Sequence, residues 1–254
     1  MTLEQQAYIL EGQGLTMEFA GFQAVSAVDL KVAEGSIHAL IGPNGAGKTT
    51  CFNMLTKFLT PTKGRIIFDG TDITRKAPTD VARLGLVRSF QISAVFSDLS
   101  VVQNVCVALQ SKQGRIFQLL TSDIKLADLK EQAVRLLEQV GLQDYQNTKA
   151  GLLSYGRKRA LELATTLALD PKVMLLDEPM AGMSPEDIER VKALILSIRT
   201  GRTILMVEHN LPVVSELCDR ITVLARGQVL AEGDYDSVSR NPDVQTAYIG
   251  SEHD

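Results

Sequence analysis

Gly42-Pro43-Asn44-Gly45-Ala46-Gly47-Lys48-Thr49-Thr50 is the stretch on which the reading of this 254-residue chain turns. Its two end glycines, its lysine and its first threonine have the spacing of a phosphate-binding loop. An apolar run, Ile37–Ile41, precedes it, and a helix is expected from Lys48 to about Phe58, stopped by Thr60-Pro61. A strand that turns through glycines into a helix start offers an anion a set of backbone N–H groups and the positive end of the helix dipole. The glycines let the chain curl closely around phosphates without a Cβ in the way. Lys48 then supplies a point charge to the β- and γ-phosphates, and the Thr49 hydroxyl is suited to Mg²⁺. All nine residues from Gly42 to Thr50 are candidate nucleotide contacts.

A second element, Lys-Val-Met-Leu-Leu-Asp-Glu-Pro over Lys172–Pro179, delivers two adjacent carboxylates at the end of an apolar strand. Open α/β sheets place their ligands at such strand ends. Asp177 suits the surroundings of Mg²⁺, and Glu178 is the candidate to polarise a water attacking the γ-phosphate. Acidic strand ends also serve simply to cap the next element; the phosphate loop upstream is what favours the chemical reading.

Composition narrows the field. Apolar residues make up 45% of the chain, enough for a large core. A formal net charge of −4 argues against a broad nucleic-acid-binding face. Cys51, Cys106 and Cys218 have no metal-like spacing and read as reduced thiols. The N-terminal segment lacks the basic and apolar regions of a signal peptide, and no run approaches the roughly 20 apolar residues that span a bilayer. A membrane role would therefore come through a partner.

The pattern changes along the chain. Short apolar or alternating runs at Leu15–Phe19, Val28–Val32, Ile37–Ile41 and Arg65–Phe68 predict strands. From Val101 to Val140 the period becomes helical, with Leu126, Leu129, Ala133, Leu136, Leu137 and Val140 on one face. Ser154 is a candidate N-cap for a helix with the stripe Ala160, Leu163, Ala164, Leu167 and Ala168. Strand and helix then alternate through Val173–Leu176, Ile188–Ile198, Thr203–Val207 and Leu211–Cys218, which implies a largely parallel sheet. Ser184, Pro185 and Asp187 have the pattern of a capped helix start. A short helix is expected over Asn241–Tyr248.

Five further pieces, taken in chain order, make the sequence resemble the ATP-binding cassette (ABC) family over nearly its whole length. Gln91 matches that family's Q-loop glutamine, which senses Mg²⁺ and γ-phosphate. Leu153-Ser154-Tyr155-Gly156-Arg157 is similar to its signature motif, and Ala181-Gly182-Met183-Ser184 occupies the D-loop place. His209 matches the switch histidine that meets the γ-phosphate. Phe19, with Phe22 as the alternative, is placed like the aromatic that stacks on adenine. Three positions in two motifs depart from the common pattern: Tyr155 and Arg157 replace a glycine and a glutamine of the signature, and Ser184 stands for the usual D-loop aspartate.

The resemblance implies an α/β cassette with a mixed, mainly parallel core sheet, an antiparallel β subdomain and a helical signature subdomain. It places the core and β subdomain at about 1–90 and 170–240, the helical part at about 92–168 and a tail at 241–254, all in one cassette. Glu178, His209, Gln91 and Lys48 would be catalytic, and Thr49, Gln91 and Asp177 would hold Mg²⁺. ATP would lie between the phosphate loop of one chain and Ser154 and Gly156 of a second cassette. The partners implied are that second cassette, two transmembrane permease subunits and a substrate-binding protein, with the chain on the inner face of the membrane.

The signature variant, Ala-Gly-Met-Ser-Pro and the ending Asn241–Gly250 most resemble the subunits of branched-chain amino-acid importers. Urea or amide importers share a similar tail. A P-loop kinase would need an acceptor site and lid arginines instead. Non-transport members of the family usually carry paired cassettes, coiled-coil insertions or basic extensions.

Overall fold

The computed structural model describes residues 7–89, 95–112 and 123–249. They fall into two compact units. The first comprises the described residues of Met1–Leu86, Lys172–Glu178 and Arg199–Asp254, and the second those of Val87–Pro171 and Pro179–Ile198.

In chain order the strands are β1 (Tyr8–Phe19), β2 (Phe22–Ala33), β3 (Ile37–Ile41), β4 (Lys63–Phe68), β5 (Thr71–Asp72), β6 (Leu86–Arg88), β7 (Val173–Asp177), β8 (Thr203–Val207), β9 (Arg220–Ala225) and β10 (Gln228–Gly233). The helices are α1 (Lys48–Leu55), α2 (Pro78–Leu84), α3 (Val101–Lys112), α4 (Asp123–Gln139), α5 (Tyr155–Ala168), α6 (Pro185–Ile198), α7 (Leu211–Leu217), α8 (Tyr235–Ser239) and α9 (Pro242–Ile249).

The strands form two sheets, an antiparallel one ordered β2-β1-β4-β5 and a mixed one ordered β10-β9-β3-β8-β7-β6. In the mixed sheet β3, β7, β8 and β9 run parallel, and β10 pairs with β9 antiparallel. This is the expected α/β architecture. Every residue of β3 and of β8 is buried, as their predominantly apolar sequences, broken only by His38 and Thr203, predict for strands covered on both faces. Leu10, Leu30 and Phe68 of the antiparallel sheet share one core with Phe52 and Leu55 of α1 and with Leu40 and Leu205. The phosphate-loop helix is therefore seated between the two sheets of the first unit.

Helix α1 stops at Leu55, three residues before the predicted end. Lys57 takes a left-handed backbone conformation (φ 64°), and its ammonium donates to the Thr74 carbonyl, which ends the helix ahead of Pro61. In the second unit the predicted stripe on α5 is buried throughout, as are Leu129, Ala133, Leu137 and Val140 on and just after α4. Among the described residues no helix is long and apolar enough to cross a membrane.

One buried titratable group has a measurable consequence. His38 in β3 is fully buried, with Nε2 2.8 Å from the Thr222 hydroxyl. Burial, helped by the Arg220 charge, pushes its pKa down to about 3. Between pH 6.5 and 3 the unfolded chain therefore binds a proton that the folded chain refuses, so stability falls as pH drops through that window. From pH 7 to 5 this group alone removes about 2 kcal/mol. A His38→Gln variant should show a correspondingly shallower loss in urea unfolding across that interval; an unchanged slope would contradict the assignment.

Candidate functional site

Three parallel strands converge on one edge of the mixed sheet. β8 lies between β3 and β7, with Leu40 opposite Val207 and Val207 opposite Asp177. The residues that follow each strand, Gly42, Glu208 and Glu178, must therefore emerge side by side, with the outer two about 10 Å apart. The sequence alone suggested ligands at strand ends; the register decides which ends are neighbours.

The phosphate loop has the shape its glycines predict. Gly42 sits at φ 147°, and a Cβ there would fall 2.1 Å from the Leu224 carbonyl oxygen. Gly47, in the left-handed region, caps α1, and a Cβ there would fall 2.7 Å from the Ala24 carbonyl oxygen and 3.3 Å from the Gly227 Cα. The loop is also tied laterally, since the Gly227 N–H donates to the Ala46 carbonyl at 3.0 Å. The first helical bond runs from the Cys51 N–H to Gly47, so the amides of Lys48, Thr49 and Thr50 precede the helical ladder and face any anion at the helix start. Pro43, Asn44, Gly45 and Ala46 line one wall of a cavity of ≈ 610 Å³ that reaches the β9–β10 turn and α9.

Lys48 folds back over the loop, its ammonium donating to the carbonyls of Gly42 (2.7 Å) and Pro43 (2.9 Å). Its partial burial holds the pKa below the ordinary lysine range, and the Glu178 carboxylate works in the opposite direction. A cation held this way is poised to turn from loop carbonyls to a phosphate.

Glu178 is one of the few non-glycine residues with positive φ (43°). Its N–H donates to the Val207 carbonyl at 3.0 Å, which anchors the turn after β7 and leaves the side chain partly exposed. Left-handed backbone at a non-glycine residue costs of order 1–3 kcal/mol and is found where a side chain must be aimed. The Glu178 carboxylate lies 3.7 Å from Nδ1 of His209, whose ring is largely exposed. His209 is held from beneath by a residue that sequence reasoning passed over. Glu208 is fully buried, and its carboxylate accepts the N–H groups of His209 (3.1 Å) and Asn210 (3.3 Å). The signal available was an acid directly after the apolar run Ile204–Val207.

The first unit thus brings together Gly42–Thr50, Asp177, Glu178 and His209. Ser154 and Gly156 open α5 in the second unit; Ser154 is the N-cap by position, although its side chain makes no capping bond. Gln91 lies outside the described residues. Phe19 and Phe22 face each other across the tip of the β1–β2 hairpin and are both exposed, Phe22 more so. The backbone at Ala24, two residues beyond Phe22, packs on Gly47, so the hairpin tip and the phosphate loop belong to one surface.

Residues 25–181 match the family model described as ABC transporter. The chain belongs to the ABC transporter family. Its C-terminal part, residues 228–254, also matches the model described as branched-chain amino acid ATP-binding cassette transporter. The chain is 40% identical to the high-affinity branched-chain amino acid transport ATP-binding protein BraF of Pseudomonas aeruginosa, with 95% of this chain and 98% of that protein covered. It is 39% identical to LivG of Escherichia coli over the same shares. A crystal structure of the ADP conformation of an ABC transporter cassette is similar with a TM-score of 0.84 at 30% identity, covering 96% of this chain and 99% of that one.

This ABC cassette binds nucleotide and is an ATPase. Its two departures in the signature motif have structural explanations. The Arg157 guanidinium lies over the Tyr145 ring, 4.2 Å from its centroid, so its charge is engaged within the second unit. Tyr155 reaches the carbonyl of Ala181.

Proposed function

We propose that this chain is the ATP-hydrolysing subunit of an importer for branched-chain or other hydrophobic amino acids. It would work with a second cassette beneath two permease subunits fed by a substrate-binding protein. The observation that carries the chemistry is the meeting, at one sheet edge, of the phosphate loop with Glu178 and His209.

In this reading the loop amides and Lys48 hold the β- and γ-phosphates. Glu178 accepts the proton of the attacking water, and the neighbouring His209 ring orients that water and the γ-phosphate. The donor set suits a hard cation: one hydroxyl, Thr49, and one carboxylate, Asp177, with Gln91 as the third residue assigned to it. Among the described residues no cluster of three acidic, histidine or cysteine side chains exists to cage a metal by itself. That is the pattern for Mg²⁺, which takes few protein ligands and keeps waters and phosphate oxygens. The ion would neutralise phosphate charge.

Ser154, Gly156 and the start of α5 would meet the γ-phosphate bound by the partner cassette, adding helix-terminus donors only when the pair closes. Release of phosphate then removes what joins the two cassettes. Phe19 or Phe22 would stack on adenine from the exposed hairpin tip. The Gln91 segment would carry the motion to the permeases, which would hold the chain on the inner membrane face.

The cargo is tested by uptake. Cells carrying Lys48→Ala in place of the native chain should lose leucine, isoleucine and valine accumulation at micromolar concentrations and keep urea uptake. Loss of urea uptake with amino-acid uptake intact would replace this cargo by the urea or amide class.

A further inference from the structure

The second unit contains a contact between two motifs that the mechanism treats separately. Tyr155 is the first residue of α5, where the family's signature has glycine, and its hydroxyl donates to the Ala181 carbonyl at 3.0 Å. Ala181 opens the D-loop. The adjacent residue, Gly156, lies against Asp187 in the first turn of α6, where a Cβ would come within 2.6 Å of the carboxylate. The Ser184 hydroxyl, at the position of the missing D-loop aspartate, accepts the Asp187 N–H at 3.3 Å and so serves the start of α6. The signature turn is thereby joined to the D-loop and to the following helix at two successive residues.

Tyr155 is not a core residue, for 46% of it is exposed. The phenol of a free tyrosine at this level of exposure would simply be hydrated. What distinguishes it is the directed bond to the D-loop backbone, in a chain whose D-loop has exchanged a carboxylate for a serine already engaged in capping.

We propose that Tyr155 is a positioning residue that fastens the D-loop to the signature turn, so that the two travel as one piece when paired cassettes close and reopen. The proposal rests on the paired-cassette reading above. A signature turn that grips one ATP would then carry its own D-loop with it, and the state of one nucleotide would reach the other. A single neutral hydrogen bond biases such an equilibrium by about three- to ten-fold. Tyr155 therefore tunes the communication between sites and leaves nucleotide capture by each phosphate loop untouched.

Tyr155→Phe removes the hydroxyl and keeps the ring. The variant is to be tested in the assembled transporter in liposomes, with ATP hydrolysis followed against ATP concentration. Nucleotide affinity and the thermal midpoint are measured on the purified chain. The expected result is a maximal rate three- to ten-fold lower and a Hill coefficient reduced toward one, with affinity and midpoint unchanged. A merely structural tyrosine would move the midpoint and leave cooperativity alone. A cooperative wild type matched in rate and Hill coefficient by Tyr155→Phe overturns the positioning role. A Hill coefficient of one in the wild type overturns the role of Tyr155 alone, whereas an assembled transporter that contains no second cassette overturns the paired reading and the role of Tyr155 with it.

Discussion

Glu178→Gln is expected to lower ATP hydrolysis by about 10²- to 10⁴-fold, the range for loss of a general base, while ATP affinity stays within about three-fold. Glutamine matches glutamate in shape and keeps the backbone bond to the Val207 carbonyl, so the turn at φ 43° has no reason to change. What it loses is the capacity to take a proton, and with it the partner that faces His209 Nδ1 at 3.7 Å. Binding and chemistry should therefore separate: the variant holds ATP and turns it over slowly, and paired cassettes should persist in the closed state. Phosphate release from the assembled transporter, measured beside equilibrium binding of a fluorescent ATP analogue, gives both numbers. A rate within three-fold of the wild type would remove Glu178 from the role of base.

Lys48→Ala should act on the other half of the reaction, binding. The ammonium is held by the carbonyls of Gly42 and Pro43, at the head of a helix whose first amides face the same space. A hydrogen bond to a charged group is worth about 1.5–3 kcal/mol, so its loss should weaken nucleotide affinity by roughly 10- to 150-fold. Lys48→Arg should recover only part of this, because a planar guanidinium does not occupy the site of a compact ammonium. Titration of the purified chain with the same analogue checks it, and an affinity unchanged in Lys48→Ala would contradict the phosphate cradle.

Much of this site was legible because its residues are neighbours in sequence. The loop from Gly42 to Thr50 announces itself through glycine spacing, and strands β3 and β8 have the bounds that their apolar runs predict. Strand β1, by contrast, begins at Tyr8, well before the predicted Leu15. The part before Leu15 contains Gly12, Gln13 and Gly14, and it is a strand because β2 and β4 pair with it on both sides. Pairing of that kind is a tertiary effect that local propensity does not carry. Helix α2, strands β9 and β10, and the short helix α8 are similarly brief elements set by what they pack on.

At the site, what sequence could not supply was adjacency between distant segments. In the sequence Glu208 is an acid beside a histidine, with nothing to mark its task. It becomes intelligible only when its carboxylate is seen buried beneath the His209 loop, accepting two successive amides. Ser184 already reads in the sequence as the cap of a helix start, whereas Tyr155 departs from the family pattern with no task that the sequence shows. The contact with Ala181 and the capping of Asp187 give each a definite task within the same few residues of space.

Isolation of tagged Glu178→Gln chain from native membranes in ATP and Mg²⁺, with mass spectrometry of what accompanies it, tests whether this ATPase drives transport. The predicted result is two polytopic membrane proteins together with a cassette partner, either a second copy or a paralogue. Recovery of ribosomal or DNA-repair proteins with no membrane subunit would leave the ATPase chemistry standing and contradict the importer.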